Sequence, residues 1–381
     1  MTRTSAQPRF GPTATPQPAS RSYGQLVLVL QGGGALGAYQ VGVYEALHEA
    51  GMEPDWVIGT SIGAINGAII AGNSPGQRLE KLDRFWNMVQ GRASADIANL
   101  WTASHNAFAN LNTFARGIDG FFEPNPHAVW GVHRPLGVEK AAFYSTSPLA
   151  GTLAGLVDFE CINKGPARLT LGAVNVRSGE MRYFDSRDQA LDARHVMASG
   201  ALPPAFPAVR IDGETYWDGG IYSNTPIEVV LDDKPRRDSL IFSANVWHPD
   251  GPEPETIWQV LGRQKDIQFA SRARSHVGRQ QQIHRMRHIV RELARHLPDE
   301  ARNDAEIRKL VAYGCASVMH VVPLFAPRID GEDHTKDIDF TPAGIRARRQ
   351  AGLADTRRRI AEAPWEGTAD AMDGIIVHEA A

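Results

Sequence analysis

The sequence predicts an α/β fold with a mainly parallel sheet, on three observations. An apolar run at 26–30 leads into the glycine cluster 31–37 and then into a segment with helical spacing. A second apolar run, Trp56-Val57-Ile58, repeats the plan. It passes through Gly59-Thr60-Ser61-Ile62-Gly63 into a helix of small residues that ends at Gly72. A third stretch, "DSLIFSANVW" (238–247), reads as a further core strand. Apolar strands alternating with helices are the pattern of a sheet buried on both faces.

Composition sets the frame. The chain has 381 residues and is 43% hydrophobic, enough for one large α/β core with an extension, or for two domains. A net charge of -3 gives no electrostatic case for nucleic acid. The two cysteines, Cys161 and Cys315, read as reduced thiols, and no C-x-x-C pair suggests structural zinc. The first 22 residues are rich in Pro, Ser and Thr and hold no apolar signal core, so 1–23 is predicted to be a disordered tail. No run of about 18 apolar residues occurs, which leaves a cytoplasmic protein that meets membranes only from the surface.

The elements follow in order. After the strand 26–30 and loop 31–37, a helix is predicted over about 38–50, and another over 78–90. Residues 100–126 are irregular and carry Trp101, Phe108, Phe114, Phe121 and Phe122. Two readings stay open there: an insertion with its own small core, or an apolar lid over a lipid pocket. Ser147 is the expected cap of a helix with Pro148 in its first turn. "ARLTLGAVNVRSGEMRYF" reads as two strands joined near Ser178-Gly179. "PAVRIDGETYWDGG" reads as a hairpin turning at Asp212-Gly213 and delivering Asp218-Gly219-Gly220. "HPDGPEPE" (248–255) marks a boundary between a unit at 24–248 and a mostly helical extension at 249–381. One strand of that extension, about 316–324, is expected to rejoin the sheet.

Two anions compete for the glycine loop. Gly32, Gly34 and Gly37 fit G-x-G-x-x-G, the dinucleotide fingerprint. That reading needs an acid at the end of the next strand. Glu53 and Asp55 precede the strand, and its end reads Gly59-Thr60-Ser61. The same end supplies Gly59-x-Ser61-x-Gly63 between a strand and a helix, the context of a nucleophile elbow. The glycine loop then serves as an oxyanion hole, with Gly33 and Gly34 N–H groups at a helix start. Among thirteen histidines, His195, His248 and His320 lie near core elements, but no motif singles one out as a base. His284 and His288 share a helix face without a third metal ligand, which reads as a basic solvated face.

These residues carry a family likeness. Gly32-Gly33-Gly34-Ala35-Leu36-Gly37 resembles the glycine-rich oxyanion loop of the patatin-like phospholipases, of the bacterial type with a C-terminal extension of unknown role. Gly59-Thr60-Ser61-Ile62-Gly63 resembles that family's elbow, and Asp218-Gly219-Gly220 its aspartate motif. "ASGALPPAFPAV" resembles the proline-rich segment that walls its site. The likeness covers about residues 24–248. It implies a three-layer α/β/α sandwich and an acyl-ester hydrolase acting on phospholipid, lysophospholipid or another fatty acyl ester. Ser61 would be the nucleophile and Asp218 the general base. Gly32, Gly33 and Gly34 would form the oxyanion loop, with Gly37, Gly59, Gly63, Gly219 and Gly220 in support, and no metal or cofactor. Leu36 stands where the family usually has Arg or Lys. The alternatives are a catalytically weak lipid-binding or regulatory protein and a nucleotide-binding oxidoreductase.

The extension poses its own question. From Arg263 to Leu297 nine Arg or Lys face two acids, and Ile283, Met286, Val290, Leu293 and Leu297 form an apolar stripe at helical spacing. The stripe either packs on the catalytic unit or, with the basic residues, docks on anionic membrane.

Overall fold

The computed structural model describes residues 23–90, 117–131, 133–329, 332–367, 370 and 372–379. The predicted tail and the lid residues Trp101, Phe108 and Phe114 lie outside these.

A nine-stranded sheet organises the chain. Its strands are β1 (Gln25–Leu30), β2 (Trp56–Gly59), β3 (Arg168–Asn175), β4 (Met181–Asp185), β5 (Val209–Ile211), β6 (Glu214–Asp218), β7 (Ser239–Asn245), β8 (Met319–Phe325) and β9 (Ile375–Val377). Their order is β9-β8-β7-β1-β2-β3-β6-β5, with β4 also on β3. Strands β9 to β3 run parallel, while β4 and β6 pair antiparallel to β3 and β5 antiparallel to β6. The α/β expectation therefore holds, with a small antiparallel end. The hairpin turns at Asp212-Gly213, both at positive φ, as a type I′ turn requires.

Helices cover both faces, because alternate strand residues are apolar on either side. Leu26, Leu28 and Leu30 pack with α1 (Ala38–Glu49) and α2 (Ile62–Ala71) in one core cluster. Val27, Val29 and Ile241 lie in a second, against which Val277 of α6 (Ile257–Arg295) packs. Strand β8 sits between β7 and β9, so the residues after 248 complete the same sheet. Two boundaries move slightly: α3 (Pro75–Val89) begins at Pro75, and α4 (Ser147–Leu156) is preceded by Thr146, which puts Ser147 in its first turn; α5 (Ala193–Ser199) follows β4.

The last helix, α7 (Pro342–Glu362), lies on α1 at very short range. A Cβ at Gly42 would stand 1.9 Å from the Arg349 carbonyl oxygen, and one at Gly352 2.1 Å from that of Tyr39. Ion pairs flank the contact, Arg349–Glu45 at 2.8 Å and Arg357–Glu49 at 2.7 Å. Gly352→Val is expected to lower stability by about 3 kcal/mol or more in urea unfolding, since backbone cannot yield as a side chain does. Gly151→Ala, at a helical site where a Cβ meets nothing within 4 Å, is the neutral control.

The apolar stripe of α6 is only partly covered, with Ile283, Val290 and Leu297 half-buried. Met286 and Leu293 are 62% and 64% exposed, and the helix is buried instead through Ala270, Gln280, His284 and His288. His284 Nε2 bonds the Leu231 carbonyl and His288 Nε2 that of Ser317, each at 3.0 Å. The reading of these histidines as a solvated face is thus corrected: both are buried, each with its Nε2 on a long-range carbonyl.

Candidate active site

The site forms where β1 and β2 end side by side. Leu30 pairs with Gly59, so the loops after the two strands emerge together at the carboxyl edge of the sheet. After β2, Ser61 turns the chain into α2 with φ 56° and ψ -124°. That conformation is costly for a residue with a side chain, by roughly 1–3 kcal/mol. Its neighbours make room. A Cβ at Gly59 would lie 2.3 Å from the Gly63 carbonyl oxygen, and one at Gly63 2.3 Å from that of Leu30. The Ser61 N–H donates to Ser199 Oγ at 3.1 Å, and that hydroxyl donates to the Gly172 carbonyl at 2.6 Å.

Asp218 ends β6, opposite Ala173 of β3, which carries it to the same edge. It is 1% exposed and accepts a hydrogen bond from the Gly220 N–H at 2.7 Å, and Ser61 lines the same cavity beside it. Burial pushes its carboxyl up to about 7, with the Gly220 N–H and the nearby Ser61 side chain pulling only partly in the other direction. Gly219 is pressed onto β3: a Cβ there would meet the Gly172 carbonyl at 2.5 Å.

The glycine loop faces the same space. Gly32 is held from both sides: its N–H donates to the Asn224 carbonyl at 3.1 Å, and its carbonyl accepts from Asn224 Nδ2 at 3.0 Å and Trp247 Nε1 at 2.8 Å. Gly32 is therefore a fixing point of the loop, its own N–H already engaged. Gly34 has φ +55° and lies against the Asp337 carbonyl, which a Cβ would approach to 2.2 Å. Gly37 abuts Ile62, locking the start of α1 to that of α2. Leu36 is buried in the core and does not line the pocket, so its departure from the family pattern removes no charge from the cavity wall.

Ser61, Asp218 and the three glycines line a cavity of about 170 Å³ whose other walls are mainly apolar, among them Phe121, Phe122, Tyr144, Phe206 and Phe340. Phe121 and Phe122 thus serve the site, while Phe340, Ile338 and Asp337 reach it from the far end of the chain. No histidine lines it among the described residues. His195 closes a capping box with Asp192, His248 bonds the Ala326 carbonyl, and His320 stacks on His378 at 5.2 Å. No group of three His, Cys, Asp or Glu placed to hold a metal occurs among the described residues.

A family model described as patatin-like phospholipase matches residues 28–231, over half of the chain. The chain belongs to the patatin-like phospholipase family. A second model, patatin phospholipase, matches 267–372, so this patatin-like protein carries family character in its extension too. A lysophospholipase, nte1, of Aspergillus niger is 56% identical over 243 residues, which are 62% of this chain and 13% of that protein. Human patatin-like phospholipase domain-containing protein 6 is 46% identical over 61 residues, 16% of this chain and 4% of that one. The chain therefore spans only a small part of these relatives. Among solved structures, VipD from Legionella pneumophila aligns at a TM-score of 0.37 and 17% identity, covering 89% of this chain and 67% of its own.

Sequence reasoning missed several parts of this patatin-like site. Asn224 and Trp247 clamp Gly32, and Gln31 binds the Val246 and Trp247 N–H groups through Oε1 at 2.6 and 3.0 Å. Ser199 lies within the proline-rich resemblance, whose "ASG" was the available signal.

Proposed function

We propose that the protein is a serine acyl-ester hydrolase acting on a phospholipid, lysophospholipid or similar fatty acyl ester. The observation that carries this reading is a strained Ser61 whose hydroxyl meets a buried carboxylate inside an apolar cavity. Asp218 takes the hydroxyl proton as Oγ attacks the acyl carbonyl carbon. The negative carbonyl oxygen is held by the Gly33 and Gly34 N–H groups, which open a helix and lack intrahelical acceptors. On collapse the alcohol departs with the proton from Asp218, leaving an acyl-serine. Water, deprotonated by Asp218, then attacks that ester, and the proton returns to Ser61 as the fatty acid leaves. Family names of the relatives, lysophospholipase and patatin-like phospholipase, support the substrate class.

Lipid contact is part of the proposal. Phe143, Ile221 and Tyr222 are exposed beside the wall residues Tyr144 and Gly220, and would meet a membrane surface at the mouth. No helix among the described residues is long and apolar enough to cross a membrane. We place the reaction in the cytoplasm, where Cys161 and Cys315, both free, would stay reduced.

The test is labelling by a fluorophosphonate together with hydrolysis of a soluble short-chain ester. Both should be lost in Ser61→Ala. Because a base must be ionised and the Asp218 carboxyl is pushed up to about 7, kcat/KM should fall about tenfold per pH unit below that point and level off above it. An acid limb that persists unchanged in the residual activity of Asp218→Asn would remove Asp218 from the base role.

A further inference from the structure

A second cavity, of about 740 Å³, lies beside the first and takes no part in the chemistry above. It opens under α6 at the carboxyl ends of β7, β8 and β9, with Gln31, just past β1, at its inner end. Loops and crevices at such ends are where open parallel sheets receive ligands. Ile227, Val321, Pro323, Val377 and Val277 make its apolar lining.

Its other wall contains Gly278, within the 39-residue helix α6. A helical glycine costs about 1 kcal/mol relative to alanine. Close backbone approach is the usual compensation, as at Gly42 and Gly352. At Gly278 an added Cβ meets nothing within 4 Å, so this wall of the cavity has room for a larger side chain. Protein interiors are normally packed without such voids.

Three arginines converge on residues 248–250, and of these Arg274 lines the cavity. Arg263 donates to the carbonyls of His248 at 3.2 Å and Pro249 at 2.6 Å, and Arg328 to that of Asp250 at 2.6 Å. Arg274, itself a lining residue, reaches the Asp250 carboxylate only at 3.8 Å, with a side chain 65% exposed. Asp250 and Glu379 are the acids of the lining. Between the two cavities stands Trp247, which lines both and donates to the Gly32 carbonyl.

We infer that this second cavity binds a long-chain carboxylate, with the chain on the apolar floor beneath α6 and the head at Arg274. An apolar chamber with the exposed Arg274 guanidinium at its entrance, paired to Asp250 only at 3.8 Å, can take an amphipathic anion. The site does not depend on the hydrolase reading. If that reading is right, the ligand class is the class of its product. An occupant touching Trp247 would then bear on the clamp of the oxyanion loop.

The experiment is titration with cis-parinaric acid, whose fluorescence rises on entering an apolar site. Saturable binding is expected in the full chain, from this site and, if the hydrolase reading is right, from the catalytic cavity as well. It should persist in Ala205→Trp, which fills the catalytic cavity, so a failure of the hydrolase reading leaves this result intact. Gly278→Phe should weaken binding at least about tenfold without lowering the melting temperature. Arg274→Gln should weaken it about fivefold, with Arg274→Lys close to wild type, and the matching alcohol should bind worse than the acid. Absence of saturable binding, its loss in Ala205→Trp, or indifference to both Gly278→Phe and Arg274→Gln would overturn the assignment.

Discussion

Ser61→Ala and Asp218→Asn will each lower ester hydrolysis by at least about a thousandfold, and the double variant will fall little further, because nucleophile and base act as one unit. Replacing His195, His248 or His320 should have no comparable effect. Each is engaged elsewhere in the fold, and none lines the cavity. A thousandfold loss from any of them would require a triad. The aspartate substitution carries a second signature. The folded Asp218 carboxyl is pushed from 3.8 to about 7, so between those values the folded state holds a proton that the unfolded state has lost. Stability therefore falls as pH rises through that window, by an amount on the order of 4 kcal/mol at about 1.4 kcal/mol per pH unit. Asp218→Asn removes the buried charge. It should melt above wild type at pH 8, and the gap should close toward pH 4. Activity and stability would then move in opposite directions in one variant.

Gly33→Val is expected to cost at least about a hundredfold in kcat, the scale of losing one oxyanion donor. The added Cβ would stand 2.6 Å from a Val246 methyl and 3.2 Å from Trp247 Nε1. The loop can relieve that contact only by moving its N–H groups off the cavity. Fluorophosphonate labelling and circular dichroism separate a displaced loop from an unfolded protein. Leu36→Met, in the core beside the loop, should leave kcat within about twofold. Equal activity in Gly33→Val and wild type would place the oxyanion elsewhere.

The parts legible in the sequence were those encoded locally. Apolar runs gave β1, β2 and β7, and Asp-Gly marked the hairpin before Asp218. The spacing of Gly59, Ser61 and Gly63 marked the strained turn, because small neighbours are a steric condition of that turn. What stayed hidden depends on contacts far apart in the chain. Asn224 and Trp247 look like ordinary loop and strand residues until they close on Gly32, 192 and 215 positions away. The segment holding Asp337 and Phe340 gives no sign that it walls a cavity more than 270 residues upstream. The stripe of α6 misled for the opposite reason. Its period was clear, but period tells which residues share a face, and burial depends on what lies opposite. Gln280, His284 and His288 won the buried side because Asp232 and two backbone carbonyls received them.

The touching backbones of α1 and α7 bear on how such a protein can change over generations. Helix α1 begins at the glycine loop, and α7 comes from the region that a separate family model describes. At Gly42 and Gly352 the two are joined without room for a methyl group. Recombination that paired one lineage's first 248 residues with another's remainder would have to preserve both glycines at once, or push the helix that follows the glycine loop out of register. A side chain gained on either helix would therefore have to be met by a change on the other.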